Sequence, residues 1–177
     1  KQKQAIMTFF QEPFAIISGG PGTGKTTIVK GILALAEKLY PQAGITLCAP
    51  TGRAAKRMAQ LSDREAMTIH SLLKWDLESN QFVKGFDDPL DCDILIVDEF
   101  SMVDSWLFYC LLRACKPVAK ILLIGDKDQL PSVSPGSVLH DLISSECFPV
   151  ICLDKIFRQS EGSDVVTLAH EINEGSY

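Results

Sequence analysis

One short segment of the chain has the residue types and spacing of a phosphate-binding loop. Residues 16–27 read "IISGGPGTGKTT" and fit the pattern G-x-x-x-x-G-K-[ST], which starts at Gly19. Glycines allow successive backbone N–H groups to face a phosphate, and the start of a following helix adds favourable partial charge. Lys25 would reach the β and γ phosphates, and the Thr26 hydroxyl would bind Mg²⁺. A sharp structural turn is the alternative, and the complete motif favours a nucleoside triphosphate such as ATP. The residues assigned to nucleotide binding are Gly20, Pro21, Gly22, Thr23, Gly24, Lys25, Thr26 and Thr27.

Two further segments place polar side chains directly after apolar runs. "LIVDEF" ends its run with Asp98, a candidate Mg²⁺ ligand with Thr26, and Glu99, a candidate general base for an attacking water. The second acid favours hydrolysis over phosphoryl transfer to a metabolite, while a solvated acidic pair is the alternative. "LLIGDKDQLPSV" supplies Gln129, which would bond the γ-phosphate or the attacking water; on the residues alone it is equally a polar loop residue.

A basic segment follows the second apolar run. "CAPTGRAAKRM" places Arg53, Lys56 and Arg57 on the first turns of a predicted helix, with Thr51 near its start. Helix-start N–H groups and hydroxyls are good phosphate ligands. A plain solvated basic face fits the same residues.

The elements that must position these residues alternate along the chain. Apolar runs at residues 14–19, 44–50, 93–99, 120–126 and 149–154 predict strands, and helical patterns lie between and after them. Continuous apolar runs are typical of a parallel sheet that is covered on both faces. The pattern predicts an α/β three-layer sandwich with a mainly parallel sheet, in which ligands bind beyond the carboxyl ends of the strands.

One stretch interrupts the alternation. Residues 73–90 alternate apolar and polar side chains around a polar turn, which predicts a small inserted β-hairpin. A surface loop is the alternative.

The composition is that of a soluble protein, with 46% hydrophobic and 22% charged residues in a chain of 177. We find neither a membrane-spanning run nor a signal peptide in the sequence, and we read the six cysteines as small buried thiols of a reduced compartment. These features predict a cytoplasmic protein without a membrane partner. The net charge of −5 requires any nucleic-acid contact to come from a local basic patch.

Read together and in order, the motifs resemble those of superfamily 1 DNA helicases of the RecD-like group, which includes the alpha chain of exodeoxyribonuclease V. The resemblance rests on the phosphate loop, "CAPTGRAAKRM", "TIHSLL", "VDEFSMVD", "GDKDQLPSVSPG", "KIFRQ" and "AHEINEG". It implies a P-loop NTPase fold of the RecA type over residues 1–177, the first of two motor domains. The sequence ends soon after that domain's last motif, so we expect the second motor domain to be absent from it.

The resemblance also implies roles for single residues. Gln2 aligns with a glutamine that recognises adenine, although Gln4 is a neighbouring alternative. Arg158 would contact the γ-phosphate, where the transition state develops negative charge. The 73–90 hairpin resembles an insertion that splits duplex DNA. The residues implied to line the single-strand path are Pro50, Thr51, Arg53, Thr68 and His70.

The implied function is that of an ATP-dependent DNA helicase motor, which moves 5′ to 3′ along single-stranded DNA in recombination or repair. Its expected partners are single-stranded DNA, the second motor domain and subunits of a helicase–nuclease complex. Two alternatives remain on the residues alone: another P-loop ATPase that is not coupled to unwinding, and a nucleotide-binding module that is inactive without its second domain.

Overall fold

The computed structural model describes residues 1–154, which form one central sheet with helices on both faces and a small hairpin. Residues 155–177 lie outside the described part, and with them Arg158. The strands are β1 Phe14–Gly19, β2 Ile45–Ala49, β3 Met67–Thr68, β4 Trp75–Asp76, β5 Gln81–Phe82, β6 Ile94–Val97, β7 Lys120–Gly125 and β8 Val150–Leu153. The helices are α1 Gln2–Gln11, α2 Lys25–Leu39, α3 Gly52–Ser62, α4 Ile69–Leu73, α5 Ser105–Ala114 and α6 Val138–Ser144, with a 3₁₀ turn at Phe100–Met102.

The main sheet has six strands in the order β3-β2-β6-β7-β1-β8, and each neighbouring pair is parallel. Each of the five predicted apolar runs contains one of its strands. All carboxyl ends therefore meet at one edge of the sheet, where parallel α/β folds bind ligands. The segments after β6, β7 and β1 are neighbours along that edge, and the segments after β2 and β3 continue it.

Alternate residues of each strand pack into two hydrophobic clusters, one on each face of the sheet. On β1, Ile17 packs with α1 and α2, whereas Ile16 packs with α4, α5 and α6. Both side chains are fully buried, and each such burial contributes about 1.5–3 kcal/mol relative to exposure. The predicted three-layer α/β architecture is confirmed.

The predicted hairpin is present, but its paired part is much shorter than residues 73–90. The antiparallel strands β4 and β5 have two residues each, and Trp75 faces Phe82 across them. The residues between β5 and β6 form no further strand, so the alternation of polar and apolar residues overstates the paired length.

Not all of the cysteines are buried. Cys48 and Cys92 are, but Cys147 and Cys152 are exposed, and all six are free thiols. Residue 152 lies on the edge strand β8, whose one face is open to solvent at that position. Among the described residues, no helix is both long and apolar enough to cross a membrane.

Candidate nucleotide site and nucleic-acid interface

The phosphate-binding motif forms the turn from β1 into α2. Gly22 and Gly24 have φ angles of 78° and 88°, which only glycine adopts without strain. The buried Thr23 donates its hydroxyl to the carbonyl of Gly20 at 2.8 Å and so ties the turn to itself. Helix α2 begins at Lys25 directly after the turn, so its free N–H groups face the loop.

The ammonium group of Lys25 lies over the loop. It donates hydrogen bonds to the carbonyls of Gly19 and Gly20, the second at 3.2 Å. A lysine in this position carries its positive charge to the concave side of the turn, where phosphate oxygens would bind.

The two predicted acids follow β6 and meet the loop from the neighbouring side. The Asp98 carboxylate is half-buried and accepts a hydrogen bond from the backbone N–H of Glu99 at 2.9 Å. Burial raises the pKa of this carboxyl group, while the Glu99 N–H and the charges of Lys25 and Arg57 lower it. Glu99 has a φ of 51°, in the left-handed region that non-glycine residues seldom adopt. Such backbone strain is concentrated at functional sites, and here it sets the direction of a candidate general base.

Gln129 follows β7, the strand between β6 and β1. Its side-chain oxygen accepts a hydrogen bond from the Ser101 hydroxyl at 3.3 Å. Ser101 is buried in the 3₁₀ turn directly after Glu99. The loop after β7 is thereby connected to the turn that carries the candidate base.

These segments enclose one cleft of about 310 Å³, a volume in the range of small-molecule sites. It unites the catalytic residues predicted from three separate motifs, since Lys25, Glu99 and Gln129 all line it. The full lining is Gly20, Pro21, Gly22, Thr23, Gly24, Lys25, Thr26, Thr27, Arg57, Leu61, Asp98, Glu99 and Gln129.

The donor set in this cleft fits Mg²⁺ and a polyphosphate. A hydroxyl from Thr26 and a carboxylate from Asp98 are oxygen ligands of the kind that Mg²⁺ prefers. The loop contributes backbone N–H groups and an ammonium group, which suit phosphate oxygens. Among the described residues no cluster of three or more His, Cys, Asp and Glu side chains forms a metal site.

The residues predicted to contact DNA lie further along the same edge of the sheet. Pro50 and Thr51 follow β2, and Thr68 ends β3 opposite Ala49. The Thr51 and Thr68 hydroxyls cap α3 and α4 by accepting hydrogen bonds from backbone N–H groups at 3.2 and 3.0 Å. Both threonines therefore have a structural role as helix caps, besides any contact with nucleic acid.

Two more predicted DNA contacts face solvent. Arg53 is exposed on the first turn of α3. His70 is exposed on α4, and its ring lies 5.5 Å from that of Phe82 in the hairpin. Both residues belong to segments that follow β2 and β3, next to the strand ends that carry the nucleotide cleft.

Gln2 is half-buried on the first turn of α1 and is not among the cleft-lining residues. Lys1 forms a 2.6 Å ion pair with Asp154, after β8. This contact places the start of α1 at the same sheet edge as the loop, because β8 is the neighbour of β1. Adenine recognition by Gln2 and γ-phosphate contact by Arg158 stay predictions.

Two cleft residues, Arg57 and Leu61, are not assigned to the nucleotide by the sequence motifs. The sequence places Arg57 on the basic face of α3, yet it lines the nucleotide cleft with Leu61, one helical turn further on. The spacing of four residues was the available signal, since it places both side chains on one face of the helix.

One protein family matches most of this chain. The sequence profile of the AAA domain family matches residues 2–135, most of the chain. The chain belongs to this family. The match contains the phosphate loop, both acids and Gln129. All residues that line the nucleotide cleft of this AAA domain therefore lie within the family match.

Two relatives confirm the resemblance to RecD-like helicases. The ATP-dependent RecD2 DNA helicase of Deinococcus radiodurans is 41% identical over 90% of this chain and 22% of its own length. The RecD subunit of the RecBCD enzyme of Haemophilus influenzae is 37% identical over 80% of this chain and 26% of its own length. The AAA domain described here thus spans about a quarter of these relatives.

Among solved structures, the Pif1 helicase from Candida albicans has the same fold. It matches with a TM-score of 0.72 at 23% identity, over 97% of this chain and 43% of that protein. The predicted P-loop NTPase fold is thereby confirmed.

Proposed function

We propose that this chain is the first motor domain of an ATP-dependent DNA helicase, spanning residues 1–177. The observation that carries the proposal is the single cleft that unites the phosphate loop, Asp98, Glu99 and Gln129. Separate motifs that converge on one cleft are expected of a hydrolytic site and have no purpose in a structural turn. The RecD2 relative, which is by name an ATP-dependent DNA helicase, supports the same conclusion.

Within the cleft, each residue has a task that follows from its position. Lys25 and the loop N–H groups bind the phosphates, and Thr26 and Asp98 would hold Mg²⁺. That ion would neutralise the charge that develops on the phosphates. Glu99 accepts the proton of the attacking water.

Gln129 is placed to respond to the presence or absence of the γ-phosphate. Its hydrogen bond to Ser101 links it to the turn after Glu99. Contact of its amide with the γ-phosphate or the attacking water would change when that phosphate leaves. Arg158 would add positive charge at the same phosphate.

The surface beside the cleft is the proposed path of single-stranded DNA. Its position at the ends of β2 and β3, next to the ends of β6, β7 and β1, supports coupling between the two sites. Arg53 would contact DNA phosphates, while the hairpin beside His70 would separate the duplex ahead of the motor. The proposed contacts are Pro50, Thr51, Arg53, Thr68 and His70.

The proposal for the whole protein extends further. We infer that a second motor domain closes the cleft and supplies another arginine, and that the protein moves 5′ to 3′ in cytoplasmic DNA recombination or repair. Subunits of a helicase–nuclease complex are proposed partners, and the Haemophilus influenzae relative is by name a subunit of a larger enzyme, RecBCD.

Steady-state ATP hydrolysis by the full-length protein, with and without single-stranded DNA, tests the proposal. We expect strong DNA stimulation in the unchanged protein. Glu99→Gln should abolish turnover but retain ATP binding, because the amide keeps the shape and loses the base. An ATP hydrolysis rate that is the same with and without single-stranded DNA would favour a P-loop ATPase that is not coupled to unwinding. Undiminished turnover in Glu99→Gln would refute the role of the base.

A further inference from the structure

Arg57 reaches the nucleotide cleft from an element that the phosphate-binding motifs do not include. It lies on α3, which starts after β2, whereas the other cleft residues except Leu61 follow β1, β6 and β7. The helix thus forms a wall of the cleft beside the acids. Arg57 and Leu61 are one turn apart, so the same helical face presents both.

The guanidinium group of Arg57 has no ion-pair partner or hydrogen bond within residues 1–154. It lines the cleft together with Lys25, and these two are the cationic side chains of the lining. An arginine so close to a site for polyphosphate has five N–H donors for oxygen anions.

The neighbours of Arg57 on α3 differ from it. Lys56 is rotated about 100° around the helix from Arg57 and does not line the cleft. Arg53 lies one turn earlier, at the end of α3 that faces the proposed DNA path, and it is likewise outside the cleft lining. A general basic face would not single out one of three cations.

We propose that Arg57 is a phosphate-contacting residue of the nucleotide site, which bonds the terminal phosphate of ATP. The inference rests on the proposed function of the cleft. The terminal phosphate is the appropriate partner because Arg57 lines the cleft together with Asp98, Glu99 and Gln129, the residues assigned to metal binding and hydrolysis. The backbone N–H groups of the loop already serve the inner phosphates, and Lys25 reaches the β and γ phosphates from the other side of the cleft.

The test measures the affinity of the full-length protein for Mg²⁺-ADP and for a Mg²⁺-bound non-hydrolysable ATP analogue, without DNA. A hydrogen bond to a charged group contributes about 1.5–3 kcal/mol. Arg57→Ala should therefore weaken binding of the ATP analogue by about 10- to 150-fold. It should change ADP binding less than about threefold, and Arg57→Lys should restore part of the loss. Lys56→Ala is the matched control and should bind both nucleotides like the unchanged protein.

The outcomes separate this inference from the proposed function. Lys25→Ala should remove nucleotide binding; if it does not, the proposed cleft itself is wrong. If Lys25→Ala removes binding and Arg57→Ala behaves like Lys56→Ala, only the assignment of Arg57 fails. Equal weakening of ADP and ATP-analogue binding would also overturn the terminal-phosphate contact.

Two readouts exclude other roles for Arg57. A thermal melt of Arg57→Gln, which keeps a polar side chain and removes the charge, should match the unchanged protein because the residue is exposed. If the melting temperature of Arg57→Gln falls enough to explain the weaker nucleotide binding, the role of Arg57 is structural. The slope of the logarithm of DNA affinity against the logarithm of salt concentration is the second readout. If Arg57→Ala reduces this slope by about 1 and leaves nucleotide affinity unchanged, Arg57 contacts DNA instead.

Discussion

At the scale of single residues, Gly19 is a sterically constrained position of the phosphate loop. A Cβ atom there would lie 2.7 Å from the Thr23 hydroxyl oxygen and 2.9 Å from the Cβ of Leu153. Real side chains do not approach so closely, and the neighbours are themselves fixed by the turn and by β8. The glycine is therefore required by packing between adjacent strands as well as by the phosphate.

We expect Gly19→Ala to destabilise the protein by about 1–3 kcal/mol, the usual result of overpacking. For a domain of this size each 1 kcal/mol corresponds to about 2–4 °C in melting temperature. Gly52→Ala is the control, because a Cβ atom at the start of α3 would meet nothing within 4 Å. Thermal melts should show a drop for Gly19→Ala only, and equal melts would refute the packing argument.

The cysteines differ in reactivity for reasons that burial explains. Burial raises the pKa of the Cys115 thiol to about 12, and it also raises the pKa values of Cys48 and Cys92. The thiolate is the nucleophile, so these three thiols stay protonated and inert near neutral pH. Cys147 and Cys152 are exposed.

Iodoacetamide at pH 8 should therefore modify Cys147 and Cys152 in the folded protein and leave Cys48 unmodified until it unfolds. Mass spectrometry of the labelled peptides gives the result. Early labelling of Cys48 would contradict the buried position of β2.

The raised pKa of the buried Cys48 thiol also affects stability. The free energy of unfolding falls once the pH exceeds 9.0, the ordinary thiol pKa, since the unfolded chain then releases this proton more readily than the folded chain.

At the scale of elements, the hairpin is too small to be stable by itself, and its position depends on α5. Strands of two residues supply few hydrogen bonds, and an isolated hairpin is at best marginally stable. Trp106 of α5 lies 5.2 Å from Phe82 in a stacked arrangement and 5.9 Å from Trp75 edge to face, measured between ring centroids. These contacts hold the hairpin against the body of the domain.

Replacing Trp106 by Ala should loosen the hairpin without changing the nucleotide cleft. Two ring pairs at about 0.5–1.5 kcal/mol each predict a local loss of about 1–3 kcal/mol, and hence amide exchange about 5- to 150-fold faster. Hydrogen exchange over residues 75–82 measures it, and Leu112→Ala on the same helix is the control. If the exchange rates stay equal, the rings do not hold the hairpin.

The long elements could be predicted from the sequence, whereas the short ones could not. Apolar runs such as residues 120–126 have to be strands of a sheet covered on both faces, and β7 follows this pattern. Strand β3 and the hairpin strands have two residues each, too few for any periodicity. The contact of Trp106 with the hairpin joins residues that are distant in sequence, so no local pattern contains it.

The same distinction applies to the candidate site. Lys25, Glu99 and Gln129 follow strands whose ends must meet, so their convergence was predictable from fold class and motif. The side chain of Arg57 lines the cleft because α3 packs against α2, a contact between distant residues that no local pattern contains. Tertiary packing thus decides which of several basic residues serves the nucleotide.

At the scale of the whole molecule, strand order places two proposed sites side by side. The nucleotide cleft lies at the ends of β6, β7 and β1, and the proposed DNA path begins at the ends of β2 and β3. Helix α3 starts at the second site and lines the first. A shift of this helix on DNA binding would move Arg57 relative to the phosphates, which is a direct physical route for coupling.

Hydrolysis of ATP in this cleft is accelerated by positive charges placed around the terminal phosphate, where negative charge develops in the transition state. The proposed motor draws one arginine from a second domain, and an arginine of that type contributes about 10³–10⁵ in rate. The 177-residue chain alone should therefore bind ATP but hydrolyse it at least about 10³-fold more slowly than the full-length protein with single-stranded DNA. A coupled assay of phosphate release measures both, with Lys25→Ala to exclude contaminating ATPases. Brisk hydrolysis by the chain alone that disappears in Lys25→Ala would mean that these residues form a complete catalytic site, and that the second domain serves movement along DNA but not the chemical step.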